Sequence, residues 1–384
     1  MLVFIAIALT IYGLVNFYVA RRGAQALASV PLARTIFLVL YVVLALSFPA
    51  GRILRGQAEN GPALWSSDVR AFHMVIMLYG FLGAVLVDIV RLANAFMPFL
   101  PRAVTAHPGR TGPVLFIAIA AATALAIIGG AWNAARPRLV DLEVHLPRRA
   151  GTTDRLTAVL VSDLHLGSLI GPSRLEKIVR KISDLGPDIV LMPGDIVDES
   201  VTERREAELS AVMKTLSPPL GLFACPGNHE TYAGLDRTLA CYRNCGLTVL
   251  QDEAVLVGGA FILAGRRDPS SLKQGERRLA IPDILARAGL DGSLPIIVLD
   301  HQPAHLEEAE QAGVSLQLSG HTHAGQLFPL DLVNRLVWEL NWGYLKKRET
   351  QYYVTSGVGT WGPSVRTGSW PEIVRLALVF DRTP

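Results

Sequence analysis

The 384 residues are 51% hydrophobic and 18% charged, against roughly 25% charged in an ordinary soluble domain, with a mean hydropathy of +0.35. A chain this apolar, with no glycine period and three cysteines, is not disordered, collagenous or a disulfide scaffold. Residues 1–135 hold nine arginines, three acids and no lysine, a net charge of +6, which leaves −3 for residues 136–384. The slightly acidic second part lacks the clustered basic face that nucleic acid requires, so no nucleic-acid partner is expected.

The first part reads as membrane. A hydrocarbon core about 30 Å thick takes about 17–25 apolar residues per helix. Four stretches between arginines fit, predicting spans at about 1–20, 35–51, 71–90 and 111–135. A signal peptide is the alternative for the first, which lacks the usual basic start. Arg21, Arg22, Arg34, Arg91, Arg102 and Arg110 fall in the first and third loops, and Arg52, Arg55 and Arg70 in the second. That excess favours cytoplasmic first and third loops, with both termini and the following domain extracytoplasmic; Arg136, Arg138, Arg148 and Arg149 pull the other way. Asp88 stands three residues before Arg91, the spacing of a local ion pair at a span end, and His73 and His107 read as structural.

Residues 136–152, with Pro137, Pro147, Arg148, Arg149 and Gly151, are the predicted linker to a domain at 153–384. There, short apolar runs alternate with amphipathic stretches. Strands are predicted at 156–161, 188–192, 220–225, 296–300, 314–319, 352–356 and 373–380. Helices are predicted at 173–185, 203–216, 234–245, 276–289 and 304–312, with a hairpin of 254–257 and 261–264 through Gly258-Gly259. Strands alternating with helices define a layered α/β domain. Cys225, Cys241 and Cys245, odd in number and without paired spacing elsewhere, read as buried thiols. Trp342, Trp361 and Trp370 lie in glycine-rich segments, and the sequence leaves open whether they meet a membrane surface or a substrate cleft.

Polar residues gather just after the strands, where α/β folds place their sites. They are Asp163 and His165, Asp195 and Asp198, Asn228-His229-Glu230, His301, and His321 with His323. Two carboxylates, an Asn carbonyl and several imidazoles form a mixed oxygen and nitrogen donor set suited to Mn, Fe, Zn or Co. Spacing of i and i+2 at a strand end lets Asp163 with His165, and His321 with His323, reach one centre. Gly194, Gly227 and Gly320 precede these residues, as expected where backbone must approach a site closely. Each motif alone is weak; five in this order, each at a strand end, make a site.

The series D-x-H, G-D-x-x-D, G-N-H-E, H and G-H-x-H, spanning residues 155–325, resembles the calcineurin-like metallophosphoesterase superfamily, which includes purple acid phosphatases. Gly325-Gln326, Ser356 to Gly359, Arg366 and Pro371 to Ile373 are similar to a bacterial membrane-associated branch, implying a plasma-membrane protein. The resemblance implies an αββα sandwich and two divalent ions, manganese favoured. Asp163, His165 and His323 would bind one ion, Asn228, His301 and His321 the other, and Asp195 would bridge them. His229 would face the scissile phosphate and stabilise or protonate the leaving oxygen. The ions would acidify a shared water to about neutral pH, and its hydroxide would attack phosphorus. Asp198 and Glu230 are the local candidates to orient histidines. Arg266 or Arg267 is placed either to fork a substrate phosphate or as an ordinary solvated arginine.

A membrane tether favours a substrate that is also there: a lipid-linked or cell-envelope phosphodiester or pyrophosphate. A phosphomonoesterase, a non-catalytic metal sensor signalling through the spans, and a transporter are the alternatives. His229 argues against the sensor, and the scarcity of polar span residues argues against the transporter. Oligomeric state is not readable from the sequence.

Overall fold

The computed structural model describes residues 2–54, 62–148, 153–167, 170–198, 201–290 and 292–382. The chain divides into two compact units, Met1–Gly129 and Gly130–Pro384.

In the first unit, α1 spans Leu2–Ala26, α2 Pro31–Leu54, α3 Pro62–Phe96 and α4 Arg102–Thr105, and α5 runs over Pro108–Ala134. Pro31–Pro49, Val69–Phe96 and Pro108–Ala134 are long and apolar enough to cross a membrane. They coincide with the second, third and fourth expected spans. The expected first span falls on α1, which is helical but is not among those three. Asp88 does not pair along its own helix with Arg91. It forms an ion pair with Arg22 and accepts a 2.5 Å hydrogen bond from the Tyr18 hydroxyl, because α1 presents both partners to α3. His73 is buried, its Nε2 3.0 Å from Asn16 Oδ1.

The second unit is built on two six-stranded sheets. Its elements are β1 (Arg138–Arg148), β2 (Arg155–Leu160), α6 (Pro172–Ser183), β3 (Ile189–Pro193), α7 (Glu203–Met213), β4 (Leu222–Cys225) and α8 (Asn228–Asn244). There follow β5 (Leu247–Val249), β6 (Glu253–Val257), β7 (Phe261–Gly265), α9 (Ile281–Arg287), β8 (Ile296–Leu299) and α10 (Leu306–Gln311). The chain closes with β9 (Leu316–Ser319), α11 (Leu330–Val337), β10 (Gly343–Lys347), β11 (Thr350–Val354) and β12 (Glu372–Arg382). The sheet orders are β1-β12-β2-β3-β4-β5 and β10-β11-β9-β8-β7-β6.

The layers follow from which faces are apolar. Leu160, Leu191 and Phe223 of one sheet share a core with Leu263, Leu299 and Leu318 of the other. The opposite face of the first sheet packs on α6, α7 and α8 through Val159, Val190, Ile178, Leu209 and Leu239. Ile262 and Val298 on the outer face of the second pack on Ile284 of α9 and Leu306 of α10. The order is therefore helix, sheet, sheet, helix.

The linker expectation fails over 138–148. Leu142, Val144 and Leu146 turn inward while Asp141, Glu143 and His145 stay exposed, a period of two that builds β1 parallel to β12 from Arg138↔Glu372 onward. Arg55, Arg149 and Gly151, read above as loop and linker, lie outside the described residues. The short elements β5, β10 and α11 are not among those expected.

Candidate metal centre

Every candidate ligand follows the carboxyl end of a parallel strand: β2, β3 and β4 in one sheet, β8 and β9 in the other. The loops are locked to each other by backbone. Asp163 N–H donates to Gly194 O, His165 N–H to Asp195 O, and Gly320 N–H to His301 O. Five of the seven occupy left-handed backbone: Asp163 (φ 55°), His165 (49°), Asp195 (53°), His321 (72°) and His323 (49°). Residues other than glycine enter this region at a cost, and such positions concentrate at functional sites. Two glycines allow the close approach. A Cβ on Gly227 would lie 2.2 Å from Asp195 Oδ1, and one on Gly320 would lie 2.3 Å from Asp163 Oδ2.

These turns gather the donor atoms into two adjoining sets. His165 Nε2 lies 3.0 Å from His323 Nε2 and 3.9 Å from Asp163 Oδ1, and His323 Nε2 lies 3.5 Å from the same oxygen. Asn228 Oδ1 lies 3.1 Å from His301 Nε2 and 2.9 Å from His321 Nδ1. Asp195 Oδ2 stands between the sets, 3.8 Å from His165 Nε2 and 3.2 Å from His301 Nε2. Donors about 2.1 Å from one cation sit about 3.0–3.4 Å apart in octahedral or tetrahedral geometry, so the spacing fits metal ligation. Asp163, His165, Asp195 and His301 are almost wholly buried.

The electrostatics fit the same purpose. Burial pushes the Asp163 pKa up, and the neighbouring Asp195 charge adds to it; a divalent cation would relieve both. Burial and the charge of His301 press His321 down to about 3, and burial beside His165 and Arg366 also lowers His323. Both rings are thus held neutral, the form that binds metal. Burial opposes charge on His301, but Asp195 and Asp163 outweigh it and raise its pKa; a cation held by the same carboxylates would take the place of that proton.

Asp198 Oδ1 lies 3.2 Å from His165 Nδ1 and 2.8 Å from His229 Nδ1, so one carboxylate orients both rings. His229 stands edge-on to His165 at 4.7 Å, and its backbone N–H donates to Asp195 Oδ1 at 2.9 Å. Burial alone would lower its pKa, but Asp198 and Asp195 raise it to about 9. With these two carboxylates beside it, the ring favours its protonated form at the rim of the two donor sets.

Three residues are placed differently from expectation. Glu230 touches no histidine. Its oxygens accept from the backbone N–H of Gly227 (2.6 Å), Asp195 (2.9 Å) and Ile196 (2.8 Å) and from Tyr242 OH (2.5 Å), fastening the start of α8 to the loop after β3. Arg266, buried, pairs with Asp300 at 3.1 Å and Glu308 at 2.8 Å, since a buried guanidinium needs countercharge. Arg267 pairs with Asp252 and Glu276. Neither arginine is free to fork a phosphate. Arg366, which the sequence marks only as part of a resemblance, lies 1% exposed with Nη2 3.1 Å from His323 Nδ1, and it donates to Gly359 O and Gly357 O. No local pattern connects Arg366 to His323, 43 residues away. Trp342 pairs with Trp370 at 5.1 Å, and its indole N–H donates to the buried Glu372, while Trp361 is exposed.

A two-sheet α/β sandwich that collects Asp, His and Asn donors at the ends of its parallel strands defines a metal-dependent phosphoester hydrolase. Residues 156–325 match the family model of the calcineurin-like phosphoesterases. The chain is 35% identical over 263 residues to a metallophosphoesterase of Helicobacter pylori, covering 66% of this chain and 69% of that one. It is 28% identical over 381 residues to one of Campylobacter jejuni, covering 98% of each. It is also 25% identical over 304 residues to the UDP-2,3-diacylglucosamine pyrophosphatase LpxG of Chlamydia trachomatis, covering 64% of this chain and 90% of that one. The chain belongs to the calcineurin-like phosphoesterase family, whose members are metal-dependent hydrolases of phosphoester bonds.

Proposed function

We propose that this protein is a membrane-anchored hydrolase of a lipid-linked or cell-envelope phosphodiester or pyrophosphate, with two divalent cations at the centre. Asp163, His165 and His323 hold one, Asn228, His301 and His321 the other, and the Asp195 carboxylate serves both. The observation that carries the reading is the place of Asp195 Oδ2, within 3.8 Å of one histidine set and 3.2 Å of the other. Manganese is the first metal to test, because the donors mix oxygen and nitrogen without thiolate. Such cations acidify water and neutralise charge growing on phosphoryl oxygens.

The chain's own residues supply the rest. Asp198 holds His229 with Nδ1 inward, leaving Nε2 to carry a proton to the departing oxygen. The left-handed turns fix the donors before substrate arrives, so little reorganisation accompanies reaction. The lipid-linked substrate is supported by the apolar helices and by the relative named for a diacylated nucleotide sugar. In this reading α1 is the first of four spans, both termini are extracytoplasmic, and the membrane is the bacterial plasma membrane.

The test compares hydrolysis of bis-p-nitrophenyl phosphate and of p-nitrophenyl phosphate with added Mn²⁺ by the parent and Asp195→Asn, alongside metal content by mass spectrometry. The diester should be the better substrate, two ions should bind per chain, and Asp195→Asn should lose both activity and metal. Equal rates in the two proteins would refute catalysis at this centre. Protease added to sealed vesicles of known orientation checks the side on which the domain lies.

A further inference from the structure

The eight-residue helix α11, Leu-Asp-Leu-Val-Asn-Arg-Leu-Val, follows directly on the loop that carries His321 and His323 and packs the wrong way round for a surface helix. Its polar side faces the protein: Asn334 Nδ2 donates to Thr322 O at 2.7 Å, and Asp331 backs onto Gly325. Its apolar side faces out. Leu332 is 53% exposed, Val333 52%, Leu336 88% and Val337 65%, and none of the helix is buried. Phe328, two residues before the helix, is also exposed, and so is Trp361, whose backbone is clamped by two hydrogen bonds to Gln326, four residues before the helix. The patch adjoins the centre, with the Trp338 ring 5.4 Å from that of His321.

Large apolar side chains exposed together on one face of a helix mark an interaction surface. Two observations select a bilayer as its occupant. Three residues separate the end of α5, a helix of membrane-crossing length, from β1, so the domain is tethered to a membrane by its own chain. The composition, an outward Leu/Val face flanked by Arg335 and Trp361, is that of helices that lie in the head-group region.

We propose that α11, with Phe328 and Trp361, is an interfacial foot that inserts its apolar face among lipid head groups beside the metal centre. The foot holds the donor sets at the depth where a lipid's phosphoester lies; that consequence rests on the phosphoesterase reading, whereas insertion itself does not.

Cys225, Cys241 and Cys245 are buried, so a single added cysteine can be labelled. Full-length Leu336→Cys carrying an NBD fluorophore, in nanodiscs of phosphatidylcholine and phosphatidylglycerol, should emit blue-shifted light and be quenched by doxyl lipids. Arg204→Cys, on the exposed side of α7, should behave as in water. A Leu336 label that matches the Arg204 label, with no quenching by lipid, overturns the proposal. So does one shielded from iodide but untouched by lipid quencher, since a protein or a second copy then covers the face. The pair Leu332→Gln and Leu336→Gln should lower hydrolysis of a vesicle-borne lipid phosphodiester, relative to a soluble one, on the order of tenfold. An unchanged ratio refutes the positioning role. Failure of the parent to cleave either substrate defeats the catalytic reading and leaves the fluorescence result standing.

Discussion

Asp198→Asn probes the centre most sharply, because it removes a charge and almost no volume. One oxygen, Asp198 Oδ1, serves His165 at 3.2 Å and His229 at 2.8 Å. Hydrogen bonds to a charged group contribute about 1.5–3 kcal/mol and neutral ones about 0.5–1.5, so each contact weakens by about 1 kcal/mol. The Asp198 side chain is 24% exposed, and solvent screening trims the total of about 2 to about 1.5 kcal/mol. At about 1.4 kcal/mol per tenfold, the expected loss in kcat/KM is about tenfold. That is the lower end of the range of about 10–100-fold found when partners of ligating histidines are removed. The assay is steady-state hydrolysis of bis-p-nitrophenyl phosphate at saturating Mn²⁺, with bound metal counted in the same preparations. An Asn variant within about threefold of the parent, at equal metal content, would show that neither ring depends on this carboxylate.

Other perturbations test separate parts of the argument. Gly320→Ala should cost about 1–3 kcal/mol and bind less metal, since its Cβ would lie 2.2 Å from Ser162 Oγ and 2.3 Å from Asp163 Oδ2; calorimetry and metal analysis read the two effects. Glu230→Gln turns an amide NH₂ toward at least one buried donor and should destabilise by about 1–3 kcal/mol; an unchanged melting temperature would mean the parent carboxyl already carries a proton. None of the three thiols should react with a maleimide in the native protein, and all three should react after unfolding; one fast native thiol contradicts their burial.

What the sequence made legible was what lies close along the chain. The candidate ligands stand within a few residues of apolar strands, so strand ends and polar blocks can be read together. Partners brought by tertiary folding could not. Arg366 reaches His323 across 43 residues, and Arg22 reaches Asp88 across 66, displacing the local Arg91. The strand β1 was hidden because Pro147 and Arg148 resemble a linker, although its inward residues Leu142, Val144 and Leu146 keep a strand's alternation. The helix α11 was hidden for a different reason. Its apolar residues bury nothing in the domain, so no core requirement distinguishes it from a loop. A carboxylate beside His229 invites a role on its ring, whereas the reach of Glu230 fits backbone N–H groups across the turn.

The conformation of the centre explains why so much of the surrounding structure is polar and buried. Left-handed backbone costs a non-glycine residue about 1 kcal/mol or more, so five such candidate ligands represent roughly 5 kcal/mol or more held in the turns. This is comparable with the whole net stability of a domain, about 5–15 kcal/mol. The turns persist only if their surroundings over-determine them. Glu230 does so beneath Asp195, accepting from backbone on both sides of the loop. Arg366 braces His323 from behind while donating to Gly357 O and Gly359 O. His301 Nδ1, 2.8 Å from Pro193 O, ties one sheet's ligand loop to the other's. Of these groups Glu230 and Arg366 are braces and not candidate ligands; they touch few donor atoms directly, yet they set where the donors point. A substitution that spares every ligand but loosens one of these braces should therefore weaken metal binding as well as stability, because the same bonds support both.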